Sequence, residues 1–256
     1  MLFQKLKAMF KRGSSLQPSE TSALQDSEVG VDMSADTGEY VWVSPVPKDA
    51  EHRYFKLYDD LQYPEKTRAV MENMRHVGYP TLSIDEKFLP DKLFATKDEV
   101  DIPPPLDLPP ADLFMVDHRA LMVTERCAEV LRQFDLGSNA ILKPCDLYAT
   151  DKVTLLPDKY YLFYFDNRKD AFSFEHSVHY RVQYPMHPSH KKTHHLKPSM
   201  KDDVISVTSG AQSGADIWCD KNLHKALFVS DALAQALKSA GVAKDWRLYR
   251  APVVRA

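Results

Sequence analysis

Six of the ten histidines in this chain fall between positions 176 and 195: His176, His179, His187, His190, His194 and His195. Imidazole titrates near neutral pH and is a common zinc ligand, so this density invites proton transfer or metal binding. The surrounding pattern argues against both. Phe172, Phe174, His176, Val178, Tyr180, Val182 and Tyr184 alternate with Ser173, Glu175, Ser177, His179, Arg181 and Gln183. A strict period of two predicts one long half-buried strand. On it, His176 and His179 point to opposite faces and cannot chelate one ion together. The other four histidines sit in a polar loop, residues 186–201, with Lys191, Lys192, Lys197 and Lys201 and no carboxylate or cysteine to complete a tetrahedral set. The expectation is a solvated histidine and lysine loop available to a partner, with no metal and no cofactor.

Nucleophile and phosphate chemistry fare no better. Gly210-Ala-Gln-Ser-Gly214 lacks the Lys-Ser/Thr of a phosphate-binding loop, and its Ser213 is not in a Gly-x-Ser-x-Gly elbow. Cys127, Cys145 and Cys219 stand at no metal-ligand spacing, and they fit small core residues in a reducing cytosol. Lys plus Arg number 33 against 36 Asp plus Glu, a net charge of -3, which lacks the basic footprint of a general nucleic-acid binder. No catalytic residue is assigned. The chain reads as a cytoplasmic binding protein that is not an enzyme.

The elements that must position these residues are clearest after Asp112. Ala120-Leu-Met-Val-Thr-Glu-Arg-Cys-Ala-Glu-Val-Leu131 matches Ala226-Leu-Phe-Val-Ser-Asp-Ala-Leu-Ala-Gln-Ala-Leu237 at a constant offset of 106. In each copy an apolar strand end runs into a hydroxyl residue, Thr124 or Ser230, whose side chain can accept from a free amide of the first helical turn. An acid follows at once, Glu125 or Asp231, favoured by the helix dipole. Cys127, Val130, Leu131 and Phe134, and likewise Leu233, Leu237 and Ala240, give each helix one apolar face. Gly137 and Gly241 are placed as left-handed C-terminal caps. The reading is a strand-helix-strand unit used twice, with Asp112-Leu-Phe114 and Asp216-Ile-Trp218 as candidate strands ahead of each. Between the copies, Tyr160–Phe165 is a nearly continuous apolar strand and Asp166–Asp170 a turn. The fold class is therefore α+β: a mixed or antiparallel sheet with a few capped helices.

Ahead of this lie three further segments. Residues 1–12 put Leu2, Phe3, Leu6, Met9 and Phe10 on one helical face with the lysines largely off it. Residues 13–38 have the composition of a flexible acidic linker. From 13 to 60 there are ten acids against three bases. A strand at Tyr40–Val43, a second at Tyr54–Tyr58 and a helix at 65–76 are expected next. Asp101-Ile-Pro-Pro-Pro-Leu-Asp-Leu-Pro-Pro110 can form neither helix nor ladder. The organisation read from this is 1–38 as amphipathic start and linker, 39–110 as an N-terminal α+β part with a proline-rich connector, and 111–256 as the main α+β domain.

From Asp112 onward the chain resembles a family of immunity proteins from bacterial polymorphic-toxin systems, immunity family eleven, formerly a domain of unknown function. The resemblance is carried by Ala111-Asp-Leu113, Leu121-Met-Val-Thr-Glu-Arg126, Leu142-Lys-Pro144, Tyr160–Phe165, Glu175-His-Ser177, Asp216-Ile-Trp218 and Leu227-Phe-Val-Ser-Asp231 leading to Pro252. Residues 40–110 match loosely. The basic amphipathic start and the 186–201 loop depart from the family outline. The resemblance implies a cytoplasmic protein without catalytic activity that binds and neutralises a cognate toxin encoded nearby. Tyr180, Arg181, Tyr184, Lys191, Lys192, His194 and His195 are the candidate contact residues, since strand aromatics beside a basic loop suit an interface. The alternatives are a small hydrolase using the histidine-rich region 176–195 and a membrane-peripheral adaptor acting through residues 1–12.

Overall fold

The computed structural model describes residues 39–46, 55–56, 86–95, 111–116, 120–183 and 193–255, all within the unit Gly38–Ala256. The expected amphipathic start, linker, 65–76 helix and proline connector lie outside the described residues, as do Tyr184, Lys191 and Lys192. In chain order the strands are β1 (Tyr40–Ser44), β2 (Phe55–Lys56), β3 (Lys92–Ala95), β4 (Leu113–Met115) and β5 (Leu121–Thr124), followed by helix α1 (Glu125–Leu131). Then come β6 (Ile141–Pro144), β7 (Asp146–Tyr148), β8 (Tyr160–Tyr164), β9 (Arg168–Lys169), β10 (Tyr180–Gln183), β11 (Thr193–Leu196) and β12 (Val207–Thr208). The chain continues with β13 (Ile217–Asp220), β14 (Leu223–His224), β15 (Leu227–Val229), helix α2 (Asp231–Ser239) and β16 (Tyr249–Val254). The class is α+β, as expected.

Two sheets enclose the helices. One has the order β4-β5-β8-β6 and the other β12-β16-β1-β15-β13-β9. Alternation along each strand divides its side chains between two cores. Leu113, Val123, Tyr161, Phe163, Ile217, Leu227 and Val229 share a core with Cys127, Ala128, Leu131, Leu233, Ala234 and Leu237 of the two helices. Phe114, Met122, Tyr160, Leu162 and Tyr164 face a second core with Leu93 and Leu147 of the small β2-β3-β7 sheet. Trp218, Phe228, Val41, Val43 and Ala251 face a third. Strands buried on both faces read as continuous apolar runs, so all five residues of β8 are buried.

The N-terminal strands belong to these layers. β1 lies between β15 and β16, antiparallel to both. Ser44 Oγ donates to the Trp246 carbonyl, and Trp42 Nε1 donates to Asp231 Oδ1 at 2.8 Å.

Both expected helix starts are found, with different caps. At α2 the Ser230 Oγ accepts from Leu233 N at 3.2 Å. At α1 Thr124 has the extended N-cap backbone but no side-chain cap bond. Its Oγ1 donates instead to Asp112 Oδ1 at 2.6 Å. This bond fixes the direction of the hydroxyl on Asp112, and no amide of the first turn donates to its oxygen. The two C-termini differ too. Gly241 follows the Ala240 C-cap at φ 72, its N–H bonding Lys238 O and that of Val242 bonding Leu237 O, the paired bonds of a Schellman motif. Gly137 does not cap α1, which ends at Leu131. Its φ of 87 serves a turn beside Asn167, whose Nδ2 donates to the carbonyls of Leu136 and Ile217.

Three further expectations are corrected. The 166–170 turn contains the short strand β9, parallel to β13. The long strand over 172–184 is broken by a turn at Glu175 and His176, leaving only β10. Val178, expected inside, is 67% exposed, whereas Ser173 and Ser177 are buried. Those serines turn inward because Ser206 holds them: Ser173 N donates to Ser206 O, Ser206 N to Ser177 Oγ, and Ser206 Oγ to the His176 carbonyl. Finally, residues 193–196 of the expected loop form β11, the central strand of a sheet ordered β10-β11-β14.

Candidate functional site

The β10-β11-β14 sheet carries four of the seven residues singled out from sequence. β10 and β11 pair antiparallel, with Arg181 opposite His195 and Val182 opposite His194. β11 and β14 pair parallel, with His194 beside Leu223 and His195 beside His224. Cross-strand partners share a face, so the register sorts the candidates into two sets. Tyr180, His194, Leu196 and Leu223 face the third core, where Leu196 and Leu223 are fully buried and Tyr180 packs against them. Here the His194 ring meets Phe174 edge-on at 4.7 Å and Tyr180 at 5.6 Å. Arg181, His195 and His224 occupy the opposite face, with the His195 and His224 rings 5.7 Å apart. Candidates read as one surface thus split into a supporting aromatic set and an outward basic set.

The outward set has a uniform electrostatic character. Burial pushes the His195 imidazole below its usual value, and His224, Lys225, Arg181 and His194 act in the same direction. Burial also lowers His224, assisted by Arg168, His194 and Lys225. Both shifts favour the neutral imidazole, which has one donor and one acceptor nitrogen.

The sheet is anchored from below. Asp220, buried at the end of β13, accepts from the amides of Ala171 and Phe172 through Oδ2 and from that of Asn222 through Oδ1. These bonds fix the turn that leads into β14. On the other side, His179 Nε2 lies 2.6 Å from the Pro198 carbonyl, and Lys197 N donates to His179 O. His176 and His179 therefore act in turns that bracket the sheet, and not as two faces of one strand.

Sequence reasoning missed Arg168, His224 and Lys225. His224 and Lys225 carry no local signal, being a polar pair between Leu223 and Ala226. Only the parallel pairing of β11 with β14 brings them to His195. The contact closest to a hydrolytic dyad is Ser173 Oγ to His176 Nδ1 at 2.9 Å. Ser173 is buried, and among the described residues no third group is bonded to the His176 ring. Among the described residues, no group of three or more histidine, cysteine, aspartate or glutamate side chains is arranged to hold a metal ion. None of the helices there is long and apolar enough to cross a membrane.

No curated protein matches the chain. A family model does, over residues 53–249, which spans every element from β2 to the start of β16. That model describes the immunity protein family Imm11, and with more than half of its length matched, this chain belongs to the Imm11 immunity protein family.

Proposed function

We propose that the chain is a non-catalytic antidote: in the cytoplasm it binds a cognate protein toxin, encoded nearby, and holds it inactive. Membership of the immunity family over residues 53–249 carries this reading. Neutralisation by binding needs slow dissociation, which usually takes an interface of about 1,200–2,000 Å² with a few aromatic or arginine anchors. The contact is built from the outward face of the β10-β11-β14 sheet, with Arg181 and His195, and from the segment joining β10 to β11, with Tyr184, Lys191 and Lys192. Tyr180 and His194 act from behind, holding β10 and β11 on the third core. Co-expression with the toxin-domain product of the adjacent gene tests the reading. A tagged toxin should retain the chain at one to one through gel filtration. If the toxin emerges alone at low and moderate salt, the assignment fails.

A further inference from the structure

β10 is an outer strand of the β10-β11-β14 sheet, and one bond fixes which of its backbone groups face outward. Lys197 N donates to His179 O, in line with the register that sets Tyr180 opposite Leu196 and Arg181 opposite His195. In an antiparallel ladder, hydrogen-bonded and non-hydrogen-bonded pairs alternate. Arg181 and Gln183 therefore turn their amides and carbonyls toward β11, whereas those of Tyr180 and Val182 point to the outer side. No group among the described residues bonds these two amides or these two carbonyls.

Unpaired edges template the addition of another strand, so proteins usually keep them short, break them with proline or cover them. The other edges among the described strands follow that rule. β2, β9, β12 and β14 are two residues each. β6 ends in Pro144, β4 is buried throughout, and β7 is closed by a bridge from Tyr148 to Leu155. β10 has four residues and no proline. Apolar side chains stand exposed beside it: Val182, 39% exposed, Phe174, 40%, and Val178 just ahead of the strand. Phe174 is held edge-on against Phe172 at 4.8 Å, His194 at 4.7 Å and Tyr180 at 6.1 Å, so a partner that covers it orders little that was free.

We infer that the outer edge of β10 receives an extended segment of a partner protein as an added antiparallel strand, bonded to the backbones of Tyr180 and Val182. The inference rests on the toxin-binding reading and gives the form of the contact. Cross-strand partners share a face, so the segment sets apolar side chains beside Tyr180 and Val182 and a carboxylate beside the exposed Arg181. Charge decides against a second copy of this chain as the occupant. Two antiparallel β10 edges that bond both residues must set Tyr180 opposite Val182. That register places the two Arg181 side chains directly opposite each other, a destabilising like-charge pair.

Binding of the full-length chain to the toxin domain of the adjacent gene is measured together with amide hydrogen exchange resolved by NMR. The Tyr180 and Val182 amides should exchange about tenfold or more slowly in the complex than in the free chain, while the Arg181 amide is protected in both. Val182→Pro removes an outward donor and no ladder bond, so the fold is kept and toxin affinity falls by about tenfold or more. Val182→Thr, which keeps the amide, should lose much less. Unchanged exchange of the two amides in the wild-type complex overturns the inference while leaving the immunity function intact, and so does equal toxin binding by a folded Val182→Pro. The exchange measurement decides alone if the proline variant does not fold. If the wild-type chain does not bind the toxin, the functional reading fails and a peptide decides. Acetylated, amidated Thr-Val-Glu-Val-Thr at millimolar concentration should slow the same two amides, and no change overturns the inference. A wild-type dimer in sedimentation that Val182→Pro abolishes also overturns it, in favour of a second copy.

Discussion

The two helix starts look alike in sequence but are held by different bonds, and this difference can be measured. At Ser230 the hydroxyl caps α2 by accepting from Leu233 N. Ser230→Ala should therefore cost about 1 kcal/mol, the usual value for a lost N-cap. At Thr124 the hydroxyl donates to the Asp112 carboxylate at 2.6 Å. Hydrogen bonds to charged groups contribute about 1.5–3 kcal/mol, and the half-exposed position of both residues points to the lower end. Thr124→Val, which keeps the shape and removes the hydroxyl, should cost about 1.5 kcal/mol. In a domain of this size each kcal/mol moves the melting temperature by about 2–4 °C, so the expected drops are about 2–4 °C and 3–6 °C.

A double-mutant cycle separates the mechanisms. Thr124→Val and Asp112→Ala should couple by about 1 kcal/mol, because each removes the same bond. Ser230→Ala and Asp216→Ala should be additive, since the Asp216 carboxylate accepts from Asp135 N and not from the Ser230 hydroxyl. Urea unfolding at constant slope gives the four energies. Additivity at Thr124 and Asp112, or an unchanged midpoint for Ser230→Ala, would refute the reasoning.

Three other predictions follow from burial and backbone geometry. Gly241→Ala should cost about 1 kcal/mol, from φ 72 alone, since its nearest neighbour is Arg126 Nη2 at 3.6 Å. Gly137→Ala should cost more, about 2 kcal/mol or above, because its Cβ would meet Asn167 Oδ1 at 1.9 Å; equal unfolding midpoints for the two would contradict this. Burial pushes the Cys127 and Cys145 thiols up to about 12, so neither should react with iodoacetamide in the folded protein at neutral pH, as intact mass will show. His195 and His224 are lowered from 6.5, so the folded state binds fewer protons than the unfolded one as pH falls below that value. Their contribution is complete above pH 6.5 and is lost on acidification from there, and His195→Gln with His224→Gln should flatten the fall in melting temperature. A wild-type profile no steeper than that of the double variant would contradict it.

How far the sequence could be read depended on whether the deciding partner was local. The Ser230 cap and the Gly241 terminus were legible because every bond falls within the helix and its flanks. Tyr160–Phe165 was legible because a strand covered on both faces needs no alternation. The Thr124 cap failed on a carboxylate just ahead of β4, Asp112. The 172–184 strand failed because its apolar alternation was real but Ser206, remote in sequence, draws Ser173 and Ser177 inward and breaks the ladder. β11 was hidden because Thr193, His194 and His195 look like loop, and its neighbour β14 lies far along the chain. Of the candidate site, Arg181 and His195 were named from sequence. Their arrangement with His224, Lys225 and Arg168 is set by strand pairing, which carries no local signature.

The measurement closest to the central claim is survival. Cells expressing the toxin-domain gene adjacent to this one are plated with and without the intact chain, alongside a variant unfolded by a charged residue in the central core, such as Leu233→Asp. The account predicts that the toxin alone arrests growth, that the intact chain restores colony counts, and that the unfolded variant does not. Arrest undiminished by the well-expressed intact chain would contradict it.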